Sequence, residues 1–357
     1  MYGDDKVEFE PLSFILVGAG QVVGKYWTRA NREGLVRIVR ILGLEPKDEV
    51  LEELGNGNWD YERTSGVAQT VDVICKWVKS ENIEIALVIP PRDRLGIIEA
   101  LVEKKLSMRI FVEKPYADNS QDLEKYKKFV MDDGLIKFHL AGKYANGRAD
   151  ILYEQLPQGK LPISIEMSLI EGSEYYQYVI DRIWKQGSHP YLEVGPELDL
   201  GFHLLDIGST WARTRGSVAW KLIEASDLSH VDKSFGKGFG VSAKLELIIN
   251  GQIIEVALRA GKGDVENERF VKFRYDDGRV YIQNYSVGSA SDPVFVESAG
   301  LRKELARHKD DYNYYASELR RDVFANQLIE ECLGRLEVNE ICLRMKEMRL
   351  ARDLSGE

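Results

Sequence analysis

Asp199 and His203 stand four residues apart in the run Leu198-Asp-Leu-Gly-Phe-His-Leu-Leu-Asp206. On an α-helix residues at that spacing share one face. Histidine titrates near neutrality, which suits proton exchange with an alcohol, and a carboxylate one turn away would orient the imidazole or hold a substrate hydroxyl. The same residues also describe a structural His–Asp pair on a helix packed against a sheet. Lys114 lies in Phe111-Val-Glu-Lys-Pro115, at the end of an apolar run. A lysine at a strand end can bond a hydroxyl or carbonyl and depress the pKa of a neighbouring acid–base group; taken alone, it is a surface lysine before a loop proline. A metal reading of Asp199 and His203 lacks a third ligand at suitable spacing, so no metal is expected.

The other constellation is Gly18-Ala-Gly20-Gln-Val-Val-Gly24, a GxGxxG. It follows an apolar strand and opens a helix, the context in which the pattern is informative. Gly18 would make the tight turn, Gly20 would let backbone amides reach a pyrophosphate, and Gly24 would allow close helix–strand packing. Free N–H groups and the dipole at a helix start favour the phosphates. The expected cofactor is NAD or NADP, with Gly18, Gly20, Gln21, Val22, Gly24, Glu45, Pro90, Glu113 and Lys114 as candidate contacts. The acid that holds the ribose hydroxyls of NAD is expected about 20 residues beyond the last glycine. Gly43 and Glu45 fall there, with Lys47 the nearest base, so the choice between NAD and NADP is open.

These residues need elements to hold them. Strands are predicted at 14–17, 36–42, 83–89, 108–112 and 136–141, with helices at 22–31, 67–80, 95–105 and 120–132 between them. Alternating strands and helices imply βαβ units and a parallel sheet. Beyond Gly142, Asn146 and Gly147 the pattern changes to a strand at 162–170, a helix at 197–211, and strands at 219–226, 240–250, 252–259, 269–276 and 279–285. Asn250-Gly251 and Asp277-Gly278 are hairpin signals in which both turn residues take positive φ. A final helix is predicted from Tyr312 to Leu350, with Leu319, Val323, Leu328 and Ile329 apolar. The fold class is therefore α/β. Residues 1–141 are expected to form an N-terminal Rossmann dinucleotide-binding domain, and residues 142–357 an α+β domain with a large, mainly antiparallel open sheet, one face of which is available for oligomerisation.

The chain has 357 residues, about two domains' worth. Its formal net charge of −10 disfavours nucleic acid and anionic membrane surfaces as bulk partners. Three scattered cysteines with no CxxC give neither a zinc site nor a disulfide framework. No signal peptide or spanning segment is read, so the expected location is cytoplasmic.

Together the glycine loop, Pro90-Pro91, Glu113-Lys114-Pro115, the Asp199–Asp206 segment, the later strands and the helix containing Phe324 resemble the Gfo/Idh/MocA family, the glucose–fructose oxidoreductase and inositol dehydrogenase group. The resemblance implies NAD(P)-dependent hydride transfer at a secondary alcohol or ketone of a sugar, cyclitol or related polyol. It places Lys114, Asp199 and His203 on the family's catalytic lysine, aspartate and histidine, and implies a homodimer or homotetramer built on the second sheet. Lys143, Tyr144 and Trp184 are further candidates for substrate contact, as is Lys185. Departures are Gly43 at the acidic ribose position, Arg94 where many members carry histidine, and a glycine cluster reduced to Gly195. Arg94 reads either as a contact for an anionic substrate or as a solvated arginine at a helix start. Leu245, Leu247 and Ile249 belong either to an open oligomerising face or to the buried one. Two other readings are a cofactor-bound sensor without turnover and a structural subunit.

Overall fold

The computed structural model describes residues 11–20, 22–43, 60–78, 83–132, 135–173, 177, 179, 181, 194–228, 239–263, 266–285, 292–307, 319, 322–323 and 327–355. The candidates Gln21, Glu45, Trp184 and Lys185, and also Phe324, lie outside them.

Six strands, β1 (Leu12–Val17), β2 (Val36–Gly43), β3 (Asp60–Arg63), β4 (Ile83–Leu87), β5 (Met108–Val112) and β6 (Ile136–Leu140), form a parallel sheet in the order β3-β2-β1-β4-β5-β6. This is the doubly wound Rossmann order, which reverses between β1 and β4 and opens a crevice there at the carboxyl edge. Helices α1 (Thr28–Arg32), α2 (Val67–Val78), α3 (Pro91–Glu103) and α4 (Ser120–Met131) are its connections. Because both faces are covered, Phe14, Ile15 and Leu16 are all fully buried although neighbours point to opposite sides. The helix expected from Val22 begins instead as a π turn, Val23–Trp27, and becomes α1 only at Thr28. Strand β3 is four residues long and polar, Asp-Tyr-Glu-Arg, too weak a pattern for periodicity to reveal.

Two short helices, α5 (Lys143–Gly147) and α6 (Asp150–Gln155), lead to a second sheet. It comprises β7 (Ser164–Glu171), β8 (Val218–Asp227), β9 (Gly240–Ile249), β10 (Gln252–Lys262), β11 (Glu268–Arg274), β12 (Val280–Asn284), β13 (Pro293–Ser298) and β14 (Leu301–Arg307), in the order β14-β13-β12-β11-β7-β10-β9-β8. Only the β7–β10 pair is parallel. A second π turn, Glu197–Gly201, runs into α7 (Phe202–Arg213), and α8 (Ile329–Ser355) lies against α7, β8 and α4.

The hairpin at Asn250-Gly251 has both residues at positive φ, as expected. The one at Asp277-Gly278 does not: only Gly278 is positive, and the Tyr275 N–H reaches across to the Arg279 carbonyl, a longer loop with one left-handed residue. A third hairpin turns at Ala299-Gly300, where alanine, which turn signals do not favour, takes φ +51°. Leu245, Leu247 and Ile249 belong to the buried, helix-covered side. The opposite side carries cross-strand ion pairs, among them Lys221–Glu246 at 3.0 Å, Lys244–Glu224 at 3.4 Å and Lys272–Glu166 at 3.3 Å. In the tail Leu319 and Val323 are buried, while Leu328 and Ile329 are exposed at the start of α8. No helix among the described residues is long and apolar enough to cross a membrane.

Candidate active site

The described candidates on the first sheet stand at its carboxyl edge. Gly18 follows β1 with φ +114°, and a Cβ there would lie 2.8 Å from the Val88 carbonyl oxygen, so only glycine makes this turn without strain. Beyond its chain neighbours, a Cβ on Gly20 would meet no atom of the described residues within 4 Å. The chain thus leaves a cradle on the outer side of the turn, of the kind a pyrophosphate needs, and the described loop fits a dinucleotide. The Gly24 carbonyl accepts from the Thr28 hydroxyl at 2.6 Å inside the π turn. Val22 is partly exposed beside it. Gly43 ends β2 against the same loop, a Cβ there lying 3.7 Å from Gly18 Cα, and its carbonyl accepts from Thr64 N–H and the Tyr61 hydroxyl.

Pro90 caps α3, with Pro91 at its first position. Arg94, one turn on, is neither solvated nor free to meet an anionic substrate, which corrects both readings made of it. It is 3% exposed and donates to the carbonyls of Ile89, Glu113 and Pro115, tying the end of β4 to the end of β5. A guanidinium with donors fanned in one plane can satisfy three carbonyls at once. Glu113 turns inward to an ion pair with Lys143 at 2.6 Å, and the Lys143 ammonium lies 4.2 Å from the centre of the Tyr26 ring. Both partners of that pair are buried.

Lys114 reaches the second domain. Its Nζ donates to Oδ1 of Asp199 at 2.8 Å and to the Asp199 backbone carbonyl at 2.5 Å. Oδ2 of Asp199 faces the Lys262 ammonium at 3.5 Å. Burial alone would raise the Asp199 carboxyl, but the two lysines outweigh it and hold it below the usual carboxylate range. Asp199 thus bonds to Lys114 and faces Lys262; of the two roles read for it, orienting the imidazole or holding a substrate hydroxyl, the first is not made as a hydrogen bond among the described residues. Asp199 sits in the π turn, where the Phe202 N–H bonds to the Glu197 carbonyl, five residues back.

His203 opens α7 and is 9% exposed. The Tyr144 ring packs on it with centroids 4.3 Å apart and a tilt of 32°. Tyr144 in turn meets Tyr285 edge-on and carries the Arg148 guanidinium at 4.5 Å. Nδ1 of His203 is buried with no hydrogen-bond partner. Burial first, then the Lys114 charge, pushes the imidazole well below its ordinary pKa, with Asp199 opposing and Lys143 and Arg148 adding to the fall. That direction keeps the imidazole neutral at pH 7.

The structure therefore brings together Lys114, Asp199, His203 and Tyr144 at the junction of the two sheets, with Glu113 and Lys143 beside them as a buried pair. Sequence reasoning missed Lys262, Glu171 and Arg269. Glu171 ends β7 and Lys262 ends β10, opposite one another in the parallel register. Lys262 is ion-paired to Glu171, which also holds Arg269 at 3.2 Å. The available signal was Gly261, a glycine in a strand that marks close backbone approach: its Cβ would lie 2.8 Å from Gly240 Cα. Among the described residues, no group of three or more His, Cys, Asp or Glu is arranged to hold a metal ion.

A parallel sheet of order 3-2-1-4-5-6 joined to an eight-stranded, mostly antiparallel sheet defines a Rossmann-like α/β fold. Solved structures share it over nearly the whole chain. KijD10, a 3-ketoreductase from Actinomadura kijaniata solved with TDP-benzene and NADP, superposes with a TM-score of 0.68 at 11% identity, covering 95% of this chain and 98% of its own. UDP-N-acetylglucosamine 3-dehydrogenase GnnA from Acidithiobacillus ferrooxidans gives 0.66 at 12% identity, covering 96% and 99%. Biliverdin reductase from Synechocystis, solved with biliverdin and NADP+, gives 0.60 at 16% identity, covering 94% and 99%. At these identities the likeness is one of fold. No protein-family model and no curated protein sequence matches the chain.

Proposed function

We propose that the protein is an NAD(P)-dependent oxidoreductase acting on a secondary alcohol or ketone of a sugar, cyclitol or related polyol, free or carried on a nucleotide. One observation carries this reading: Lys114, at the cofactor edge of the parallel sheet, bonds to Asp199 across the domain junction, four residues before a buried neutral histidine. The names of two structural neighbours, a sugar 3-ketoreductase and a nucleotide-sugar 3-dehydrogenase, support the substrate class.

Gly18, Gly20 and Gly24 would hold the pyrophosphate, and the edge from Pro90 to Lys114 would flank the nicotinamide. The bound nicotinamide would supply or accept the hydride. His203, neutral at rest, would take the hydroxyl proton in oxidation and return it in reduction. Lys114 would donate to the same oxygen and stabilise alkoxide charge as it develops. Asp199 holds Lys114 in place. Gly43 puts no carboxylate at the end of β2, so NADPH would be accepted without strong bias. Association of copies through the charged outer face of the second sheet belongs to the same proposal.

The test is turnover with NADPH and NADH on a panel of polyols, keto-sugars and nucleotide sugars, comparing wild type with His203→Ala. The variant should lose on the order of 100-fold or more in kcat and keep its cofactor affinity. Cofactor binding without turnover on any of the panel would instead favour the sensor reading. Undiminished kcat in the variant would remove His203 as the base.

A further inference from the structure

Of the two lysines on Asp199, only Lys114 meets the reacting oxygen in the proposed function. The other, Lys262, has a role of its own. It is 8% exposed at the last position of β10, and its ammonium is shared between Glu171 and Asp199. Glu171 is shared in turn with Arg269 on β11. An unbroken row of alternating charge, Arg269–Glu171–Lys262–Asp199–Lys114, thus runs from the middle of the second sheet to the cofactor edge of the first.

Its place along that row gives Lys262 its effect. The Asp199 carboxylate has two oxygens, and a free rotation about its χ2 would exchange them or carry both to Lys114. With Oδ2 held on Lys262, Oδ1 alone meets Lys114, which leaves part of the Lys114 charge uncompensated.

We propose that Lys262 is a positioning residue for the reaction, fixing Asp199 by its second oxygen so that Lys114 keeps both its place and its charge at the reacting centre. The inference rests on the function proposed above. The charged groups around His203 to be reckoned with are Lys114 after β5, Asp199 in the π turn, Lys143 and Arg148 beyond β6, and Asp292, which pairs with Arg148 at 3.5 Å. Lys262 acts through Asp199 and Lys114. Without it, Asp199 is free to close on Lys114, compensate its charge and ease the depression of the His203 pKa.

Lys262→Met keeps the length of the side chain and removes the charge. It should lower kcat about tenfold, leave the KM for NADPH unchanged, and move the acidic limb of the kcat–pH profile to higher pH. Lys262→Arg should restore most of kcat and return the limb. Glu171→Gln, which removes the competing anion and strengthens the hold of Lys262 on Asp199, should move the limb the other way. A Lys262→Met enzyme with wild-type kcat and an unmoved limb, or a loss that arginine does not rescue, would overturn the inference. His203→Ala, assayed beside these variants, separates the two claims. Loss there with none in Lys262→Met would dismiss Lys262 alone. Full activity in His203→Ala would remove His203 as the base and overturn this inference with it, while leaving the oxidoreductase reading standing.

Discussion

His203 has its pKa lowered twice, by burial and by the Lys114 ammonium, and the two causes are separable by mutation. Lys114→Ala removes a positive neighbour, so protonating the imidazole becomes easier and its pKa rises. The acidic limb of the kcat–pH profile should then move upward, on top of a fall in kcat from the lost oxygen ligand. An unmoved limb would show that Lys114 and His203 are uncoupled. At this scale the sequence was informative about residue type and less so about contact. Lys114, Asp199 and His203 do come together, but the Asp199–Lys114 pair joins residues 85 apart in sequence and leaves no local mark, and the π turn that carries Asp199 cannot be read from spacing that assumes 3.6 residues per turn. Arg94 shows the same limit: nothing local distinguishes a solvated helix-start arginine from one that binds three carbonyls.

The first turn of the chain gives two nearby glycines different jobs. Gly18 is bound by its own backbone: φ is +114° and the Val88 carbonyl stands where a Cβ would go. Gly18→Ala should cost about 1–3 kcal/mol of stability, read by urea denaturation. Gly20 has no such neighbour, so Gly20→Val should leave the denaturation midpoint near wild type and weaken NADPH binding in a fluorescence titration. If Gly20→Val bound NADPH as wild type does, the loop would not be the phosphate site. Elements such as β1, β4 and β5 were legible because parallel strands buried on both faces read as mostly apolar runs, and β2 because it is rich in β-branched residues. Polar β3, and the parallel β7–β10 pairing between segments far apart in sequence, were not legible, since register across such a distance leaves no local mark.

At the scale of the whole molecule, both described histidines are buried and held neutral. His139 stacks on Phe111 with centroids 4.9 Å apart and faces Asp322 at 3.5 Å. Burial lowers its pKa despite that carboxylate, and burial likewise lowers that of His203. Both must gain a proton on unfolding below about pH 6.5, the unfolded value. In that range the unfolded chain binds more protons than the native one, so stability rises with pH and falls as pH drops. Each histidine contributes a slope of up to about 1.4 kcal/mol per pH unit. Urea midpoints should therefore fall from pH 7 to pH 5, and His203→Gln should flatten part of the fall; a flat profile in wild type would show that these histidines are protonated in the native state.

The brace formed by α8 has a consequence for the order of events in synthesis. Asn339 on this helix accepts from the Tyr116 N–H at 3.0 Å and donates to the Ala117 carbonyl at 3.0 Å, just beyond the Lys114 strand end. Arg335 donates to the Leu140 carbonyl at 2.6 Å and pairs with Asp206 at 3.2 Å, passing so close to Gly142 that a Cβ there would lie 2.1 Å from the guanidinium. The parallel-sheet half leaves the ribosome first, yet its carboxyl edge acquires these partners only when residues 329–355 have been translated. Until then the loop that presents Lys114 has an open flank, and a nascent chain stalled before α8 would lack the Asn339 bonds that hold it.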